Sequence, residues 1–403
     1  MLASSVPATP ANPAAAPTAA ARKQALQDQV LAQLRGQRLA GVALTMGLGK
    51  TLVGLRDMAR QPAGQPLLVA APTRTILDAW PQEARKFGLA HLLDRVTFTT
   101  YRSLGKALAA GAFHKLYLDE CHALTAAHAP GLQAHVARHG HILGLTGTPP
   151  AQAGSEKGRL VAAYYPIVVD YTTDEAVLAG LLNDYRLVVH RLPLRAVRDF
   201  TYTTQAGQTY TTSERESYQY WTGRLARAEA DGPEPLPVET LRILRMRALM
   251  AYPTKGHYMH YLARQQTEKV LLFTCTQQQA EQQSPHTYHA GNPDSARNLA
   301  LFNAGQIPCL ACVQQLSEGV SLLDLRVGII WHAFGNERKA AQRIGRLLRL
   351  NPEEMATVHV LAYQDTVDDH WVAQALAAFD PTKISYVEAA SEGLEALGLP
   401  VIG

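Results

Sequence analysis

Two short strings in this sequence hold residue types that suit phosphate chemistry. Met46-Gly47-Leu48-Gly49-Lys50-Thr51 follows the apolar run Val42-Ala43-Leu44 and leads into a helix-like stretch. Glycines at 47 and 49 let backbone N–H groups wrap a phosphate, and a helix N-terminus adds its partial positive charge. Lys50 is placed to reach β- and γ-phosphates, and the Thr51 hydroxyl to ligate Mg²⁺. Leu44 stands where the full phosphate-loop pattern has glycine, so an ordinary glycine-rich turn competes as a reading of this string alone. In Leu116-Tyr117-Leu118-Asp119-Glu120-Cys121-His122, two adjacent carboxylates close an apolar strand, the place where ligands bind in open α/β sheets. Asp119 suits a metal and Glu120 the polarisation of an attacking water. The competing reading is an acidic N-cap opening the next helix.

Three further strings extend the set. Leu145-Thr146-Gly147-Thr148-Pro149-Pro150 follows another strand and offers the hydroxyls of Thr146 and Thr148 to couple the acidic pair to a second ligand; alone it is a plain turn. In Gln342-Arg343-Ile344-Gly345-Arg346-Leu347-Leu348-Arg349, Arg346 and Arg349 are three apart and share a helix face. Paired guanidiniums suit a phosphate whose charge grows in the transition state, against the alternative of a solvated basic helix. Just before it, Glu318 and Gly319 form a turn able to link a nucleotide to a nucleic-acid strand.

Such residues need sheets to hold them, and the pattern supplies two. Strand-like runs at 42–44, 66–71, 96–100, 116–118 and 141–145 alternate with helix-like segments, and a second set begins near Lys269 with KVLLFTC, PCLACV, VGIIWHA and TVHVLAY. Short apolar strands separated by helices predict parallel α/β sheets covered on both faces. The resulting division is an uncharged Ala/Pro-rich tail over 1–21, a first lobe over 22–185, a mainly helical connector over 186–255, a second lobe over 256–385 and a C-terminal tail over 386–403. With 47% hydrophobic residues the chain is too apolar to be disordered, and no run reaches the ~18 apolar residues of a membrane span. A net charge of +4 fits a nucleic-acid partner without demanding one. Four cysteines (Cys121, Cys275, Cys309, Cys312) make no disulfide framework, and Cys309-x-x-Cys312 lacks the second pair of a zinc site. They are expected to be structural thiols in a reducing cytoplasm.

Taken in order and spacing, the strings resemble the superfamily 2 helicases and translocases: motif I as MGLGKT, II as DECH, III as LTGTPP, V as SEGVSL and VI as QRIGRLLR. The resemblance runs from about Arg22 to about Tyr363. MGLGKT, and Trp80 and Glu83 following Pro72, are similar to the SNF2 group, as is Phe302-Asn303-x-Gly305. The stretch Gly319 to Arg349 equally suits compact phage branch-migration helicases and the XPB-like group.

The resemblance implies two RecA-like lobes in tandem, with ATP and Mg²⁺ held by Met46 to Thr51, Asp119 and Glu120 on one side and by Gln342, Arg346 and Arg349 on the other. Gln24 and Gln27 are the candidates for reading adenine. It further implies a nucleic-acid track past Thr73 and Arg74, Thr100 and Tyr101, and Thr274. The function expected is a DNA translocase or helicase acting on duplex or branched DNA, in the cytoplasm of a bacterium or an infected host, as a monomer with room for a protein partner that supplies specificity. An RNA-dependent ATPase and a catalytically inactive nucleic-acid-binding scaffold are the alternatives. Arg242, Arg245 and Arg247 in the connector, with Tyr218, Tyr220 and Trp221 near them, either line the track or solvate a surface and pack in the core. Helical spacing puts Arg242 and Arg245 on one face and Arg247 away from it.

Overall fold

The computed structural model describes residues 18–150, 153–203, 208–230, 232, 234–313, 322, 325–333, 354–377 and 379–389, and every structural statement, absences included, concerns these. Glu318, Gly319, Gln342, Arg346 and Arg349 lie outside them.

The first sheet comprises β1 (Leu39–Leu44), β2 (Leu67–Ala71), β3 (Val96–Thr100), β4 (Lys115–Asp119), β5 (His141–Thr146) and β6 (Ile167–Tyr171). Its spatial order is β3-β2-β4-β5-β1-β6, and all its pairings are parallel. Around it pack α1 (Ala19–Gln33), α2 (Lys50–Met58), α3 (Arg74–Lys86), α4 (Tyr101–Ala110), α5 (Ala129–Ala137), α6 (Glu156–Tyr164) and α7 (Thr173–Leu178). Successive side chains along a strand alternate faces. Val42, Leu44, Val69 and Leu145 accordingly join one core, while Leu68, Ala70, Leu116 and Leu118 join the other. Burial on both faces explains the unbroken apolar runs of the sequence.

The order has a functional consequence. β4, β5 and β1 are neighbours, so the phosphate-loop string, the acidic pair and Thr146 leave three adjacent strands at one sheet edge.

The second sheet runs β11-β12-β10-β13-β14-β7-β15 and is also wholly parallel. Its strands are β7 (Asp184–Leu192), β10 (Val270–Phe273), β11 (Thr287–Tyr288), β12 (Cys309–Cys312), β13 (Val327–Ile330), β14 (Met355–Tyr363) and β15 (Ile384–Glu388). Between β7 and β10 come an antiparallel hairpin of β8 (Phe200–Thr203) and β9 (Thr209–Thr212), then α8 (Glu214–Glu229), α9 (Val238–Ala251) and α10 (Pro253–Arg264). α11 (Gln277–Gln283), α12 (Ser295–Asn303) and α13 (Val367–Leu376) complete the described elements. Cys309 and Cys312 sit in a strand as expected, and burial pushes the Cys309 thiol up to about 11, which leaves it unreactive.

The strand β7 changes the division drawn from sequence. It lies between β14 and β15, so the chain enters the second sheet before the connector, and a boundary at 185/186 cuts a strand. A C-terminal tail starting at 386 likewise cuts β15. The connector itself is as helical as its pattern implies, apart from the hairpin. Ser213 and Glu216 form a capping box that starts α8. Arg242 pairs with Glu229 and Glu239, each at 2.8 Å, and the first of these ties α9 to α8. The Tyr218 hydroxyl accepts from the Val367 N–H at 2.9 Å, fastening α8 to α13.

Candidate functional site

The loop after β1 turns on two glycines. Gly47 and Gly49 have φ of 90° and 86°, the left-handed region that side chains disfavour. At Gly49 an added Cβ would lie 2.6 Å from Gln27 Nε2, so a side chain there would displace that amide. Between them Leu48 is wholly buried and anchors the loop to the core, while Met46 is half-buried. From α1, Lys23 Nζ donates to Gly47 O at 2.6 Å and Gln27 Nε2 donates to Leu48 O at 2.8 Å. Of the two candidate glutamines, Gln27 therefore grips the loop. Both line a cavity of about 510 Å³, together with Gly49 and Phe87. α2 begins at Lys50 with no side-chain cap, leaving the N–H groups of its first turn for a ligand.

Lys50 Nζ donates to Leu44 O at 3.3 Å and lies 3.9 Å from Glu120 Oε1. Asp119 ends β4 in the interior, where Trp80 Nε1–H donates to its Oδ2 at 2.9 Å and the Glu120 N–H to its Oδ1 at 3.0 Å. Burial and the neighbouring Glu120 carboxylate push its pKa up to about 6. The sequence marked Trp80 by its spacing but not this duty. Trp80 can lie there because Gly54 on α2 faces it, where an added Cβ would come within 2.5 Å of Trp80 Cη2.

Glu120 takes φ 50° and ψ 48°, a left-handed conformation costly for a residue with a side chain. Its Oε2 is buried with no hydrogen bond, 3.4 Å from His122 Nδ1. His122 Nδ1 is also 2.9 Å from Thr146 Oγ1, and the Thr148 N–H donates to that same oxygen at 3.1 Å. The acidic string and LTGTPP are thus directly bonded through His122, a residue the sequence reading passed over. Thr148 Oγ1 is a second buried oxygen without a partner among the described residues. Two left-handed glycines, a lysine facing a carboxylate pair and an unbonded buried carboxylate oxygen suit a polyphosphate with a divalent cation. Thr51, in the first turn of α2, and Asp119, at the end of β4, are the candidates to hold such a cation.

The expected track residues divide. Thr73 and Arg74 are exposed at the start of α3, beyond β2, and Thr100 is half-exposed at the end of β3. Tyr101 is not available: it is 6% exposed, and its hydroxyl donates to Asp119 O at 2.6 Å. Thr274 is 1% exposed and its hydroxyl donates to Cys312 O and Thr276 O, so it shapes the turn after β10. Both are corrections with one cause, since a polar atom spent on a buried carbonyl is no longer presented outward.

Residues 17–151 match the family described as type III restriction enzyme, res subunit, and residues 254–351 match the helicase conserved C-terminal domain. Over 358 residues the chain is 23% identical to the DNA 3'-5' translocase XPB2 of Sulfurisphaera tokodaii, covering 79% of this chain and 77% of that protein. The ATP-dependent Type ISP restriction-modification enzyme LlaBIII bound to DNA superposes with a TM-score of 0.56 at 14% identity, over 92% of this chain but only 31% of that enzyme. S. cerevisiae Dbp5 bound to RNA and ADP BeF3 superposes with a TM-score of 0.54 at 12% identity, over 94% of this chain and 95% of that one. These structural likenesses show a shared fold of two RecA-like lobes in tandem. No described helix is long and apolar enough to cross a membrane.

Proposed function

We propose a motor on duplex or branched DNA for this chain, which belongs to superfamily 2 of the helicases and translocases, a family of nucleic-acid-dependent ATPases. The observation that carries the reading is Glu120: a strained backbone holds its carboxylate with Oε1 3.9 Å from Lys50 and with Oε2 buried and without a hydrogen bond among the described residues. Strain of that kind persists where the site uses it.

In this reading the loop from Met46 to Thr51 wraps the phosphates of ATP, Lys50 neutralises the β- and γ-oxygens, and Thr51 and Asp119 hold Mg²⁺. The ion, when bound, withdraws charge from the phosphate oxygens. Glu120 accepts a proton from the attacking water and aligns it. Arg346 and Arg349 stabilise the charge that develops in transfer, and Gln342 contacts the nucleotide beside them. Gln27 fixes the loop, and the cavity lined by Gln24, Gln27 and Phe87 takes the base. The His122–Thr146 bond passes the state of Glu120 to Thr148. Glu318 and Gly319 make the corresponding link in the second lobe.

DNA is favoured by the translocase named above and by the SNF2-like strings MGLGKT and Pro72–Trp80–Glu83. Thr73, Arg74 and Thr100 then meet the phosphate backbone, so binding depends steeply on salt and weakly on sequence.

The test is steady-state ATP hydrolysis without polymer and with duplex DNA, forked DNA, single-stranded DNA and RNA, with Lys50→Ala as the contamination control. Stimulation by duplex or forked DNA is the expected result. Stimulation by RNA alone transfers the reading to an RNA-dependent ATPase, and ATP binding without turnover transfers it to a scaffold. Arg349→Ala is expected to lose turnover while keeping ATP affinity, because the residue acts in the transition state. A normal rate in that variant removes the assignment.

A further inference from the structure

Glu120 keeps a backbone conformation that a side chain disfavours, so its neighbours must hold it there. Its φ and ψ are the rotations that relate two planar peptide units, and both units are pinned. In the Asp119–Glu120 unit the carbonyl accepts from the Tyr101 hydroxyl at 2.6 Å, and the N–H donates to Asp119 Oδ1 at 3.0 Å. In the Glu120–Cys121 unit the carbonyl accepts from the Ala123 N–H at 2.9 Å. The next two units are held from outside the loop. Cys121 O accepts from the Tyr165 hydroxyl at 3.1 Å, and His122 O accepts from Lys157 Nζ at 2.8 Å.

The three side chains come from helices that flank the loop. Tyr101 opens α4, Lys157 lies in α6, and Tyr165 directly follows α6. Both rings are buried, at 6% and 1% exposure. Gly144 of β5 leaves the space for Tyr165, since an added Cβ would lie 2.8 Å from its Cδ2. Burial, with Cys121 and Asp119 beside it, pushes the Tyr101 hydroxyl well above its ordinary pKa, so it stays a donor. α6 adds a further bond beyond the same loop, where Glu156 Oε1 accepts from the Ala126 N–H at 2.7 Å. Any buried hydroxyl needs a partner, and a carbonyl elsewhere would serve as well. Here the donors converge on residues 119–122, with the strained residue inside that stretch.

We propose that Tyr101, Tyr165 and Lys157 are positioning residues for hydrolysis, which hold Glu120 in its left-handed conformation so that its carboxylate is aimed at the attacking water. The inference rests on the reading of Glu120 as the group that aligns that water, and it extends the site to α6, which no motif string marks.

The experiment measures steady-state ATP hydrolysis by the full chain with its stimulating polymer at saturation. The variants are Tyr101→Phe, Tyr165→Phe and Lys157→Met, each alone and combined with Glu120→Gln. Each single substitution is expected to lower kcat about 10-fold with KM for ATP unchanged, a part of the ~10²–10⁴-fold that a positioned base contributes. In the Glu120→Gln background the same substitutions should leave the residual rate, read with radiolabelled ATP, unchanged, because the carboxylate they act through is gone. Thermal melting confirms that each variant is folded, and the two phenylalanines keep the buried rings. An unchanged kcat, a raised KM at constant kcat, or an equal loss in both backgrounds overturns the positioning role and leaves the motor reading standing. Wild-type hydrolysis by Glu120→Gln removes the assignment of Glu120 and this inference with it. If the wild type hydrolyses ATP but no polymer stimulates it, the motor reading falls, while the same variants still test the positioning role through the basal rate. A wild type without hydrolysis overturns both.

Discussion

Asp119 closes β4 in the first sheet and Asp368 lies in the first turn of α13, shortly after β14 of the second; both are buried carboxylates, and their surroundings are opposite. Around Asp368 the protein supplies the counter-charge itself. Lys255 Nζ contacts its Oδ2, His332 Nδ1 lies 3.1 Å from its Oδ1, and the Tyr363 N–H donates to it at 2.9 Å. Burial works to raise its pKa, but the Lys255 ammonium and His332 outweigh burial and hold it below the usual carboxylate range. Asp119 has only an indole and a backbone N–H, with a second carboxylate beside it, and its pKa rises to about 6. A buried charge that the chain neutralises is architecture. A buried charge left short of cations is a place for one to bind.

The largest effect expected from this contrast is on folding. Asp368→Asn leaves the Lys255 ammonium in the interior without its carboxylate, and a loss of about 3–5 kcal/mol is expected in denaturant unfolding. Asp119→Asn should leave stability unchanged or improve it, because it removes half of a like-charge pair. Equal destabilisation by the two substitutions would break the comparison.

Next in size is the reciprocal effect on chemistry. Asp119→Asn is expected to lower polymer-stimulated ATP hydrolysis by about 10²–10³-fold, the scale of one lost preorganised electrostatic contact. Hydrolysis near the wild-type rate would remove Asp119 from the metal site.

A third expectation sharpens what counts as architecture. His190 and His359 face each other on β7 and β14, with ring nitrogens 2.8 Å apart, and burial lowers both to about 4. Their folded pKa lies below the unfolded value of about 6.5, so the unfolded chain takes up protons first. The contribution of the pair is complete above about pH 6.5 and is lost as pH falls through about 4. Urea unfolding across that interval measures it. His190→Gln should flatten the dependence, and an unchanged slope would show that the pair does not titrate as a buried base.

The same contrast explains how much the sequence disclosed. Strands buried on both faces write themselves as apolar runs, so β1, β2, β4, β5, β10 and β12 to β14 were legible, while β3, at a sheet edge, was legible from its β-branched and aromatic residues. β6, β11 and β15 also lie at sheet edges, β15 with three of its five residues exposed, and an edge strand needs little apolar surface. β7 is buried but carries Arg186, His190 and Arg191, which hid its membership of the second sheet. At the site, glycine and lysine spacing marked the loop because backbone geometry demands those residues. The partners that tune it, His122 to Thr146 and Trp80 to Asp119, come together only through the order β4-β5-β1 and the packing of α3. No short spacing could encode either.

Trp80→Phe tests one such partner. It keeps the aromatic packing but removes the donor to Asp119, so the Mg²⁺ concentration for half-maximal hydrolysis should shift by about 10-fold, as for a hydrogen bond to a charged group of about 1.5 kcal/mol. An unchanged Mg²⁺ dependence with lower stability would reduce Trp80 to a core residue.

The smallest effect separates a polar residue that faces the polymer from one that faces the fold. Tyr101 opens α4 where a nucleic-acid contact was expected, yet its hydroxyl donates to the carbonyl of Asp119. Tyr101→Phe removes that donor without changing the ring, at a cost of about 1 kcal/mol in unfolding. Its effect on DNA affinity should be negligible, whereas Arg74→Ala, on the exposed start of α3, should weaken DNA binding and lower its salt slope by about one. If Tyr101→Phe weakened DNA binding as much as Arg74→Ala with stability intact, the buried ring would have to turn outward during the motor cycle, and the boundary between the two kinds of residue would move.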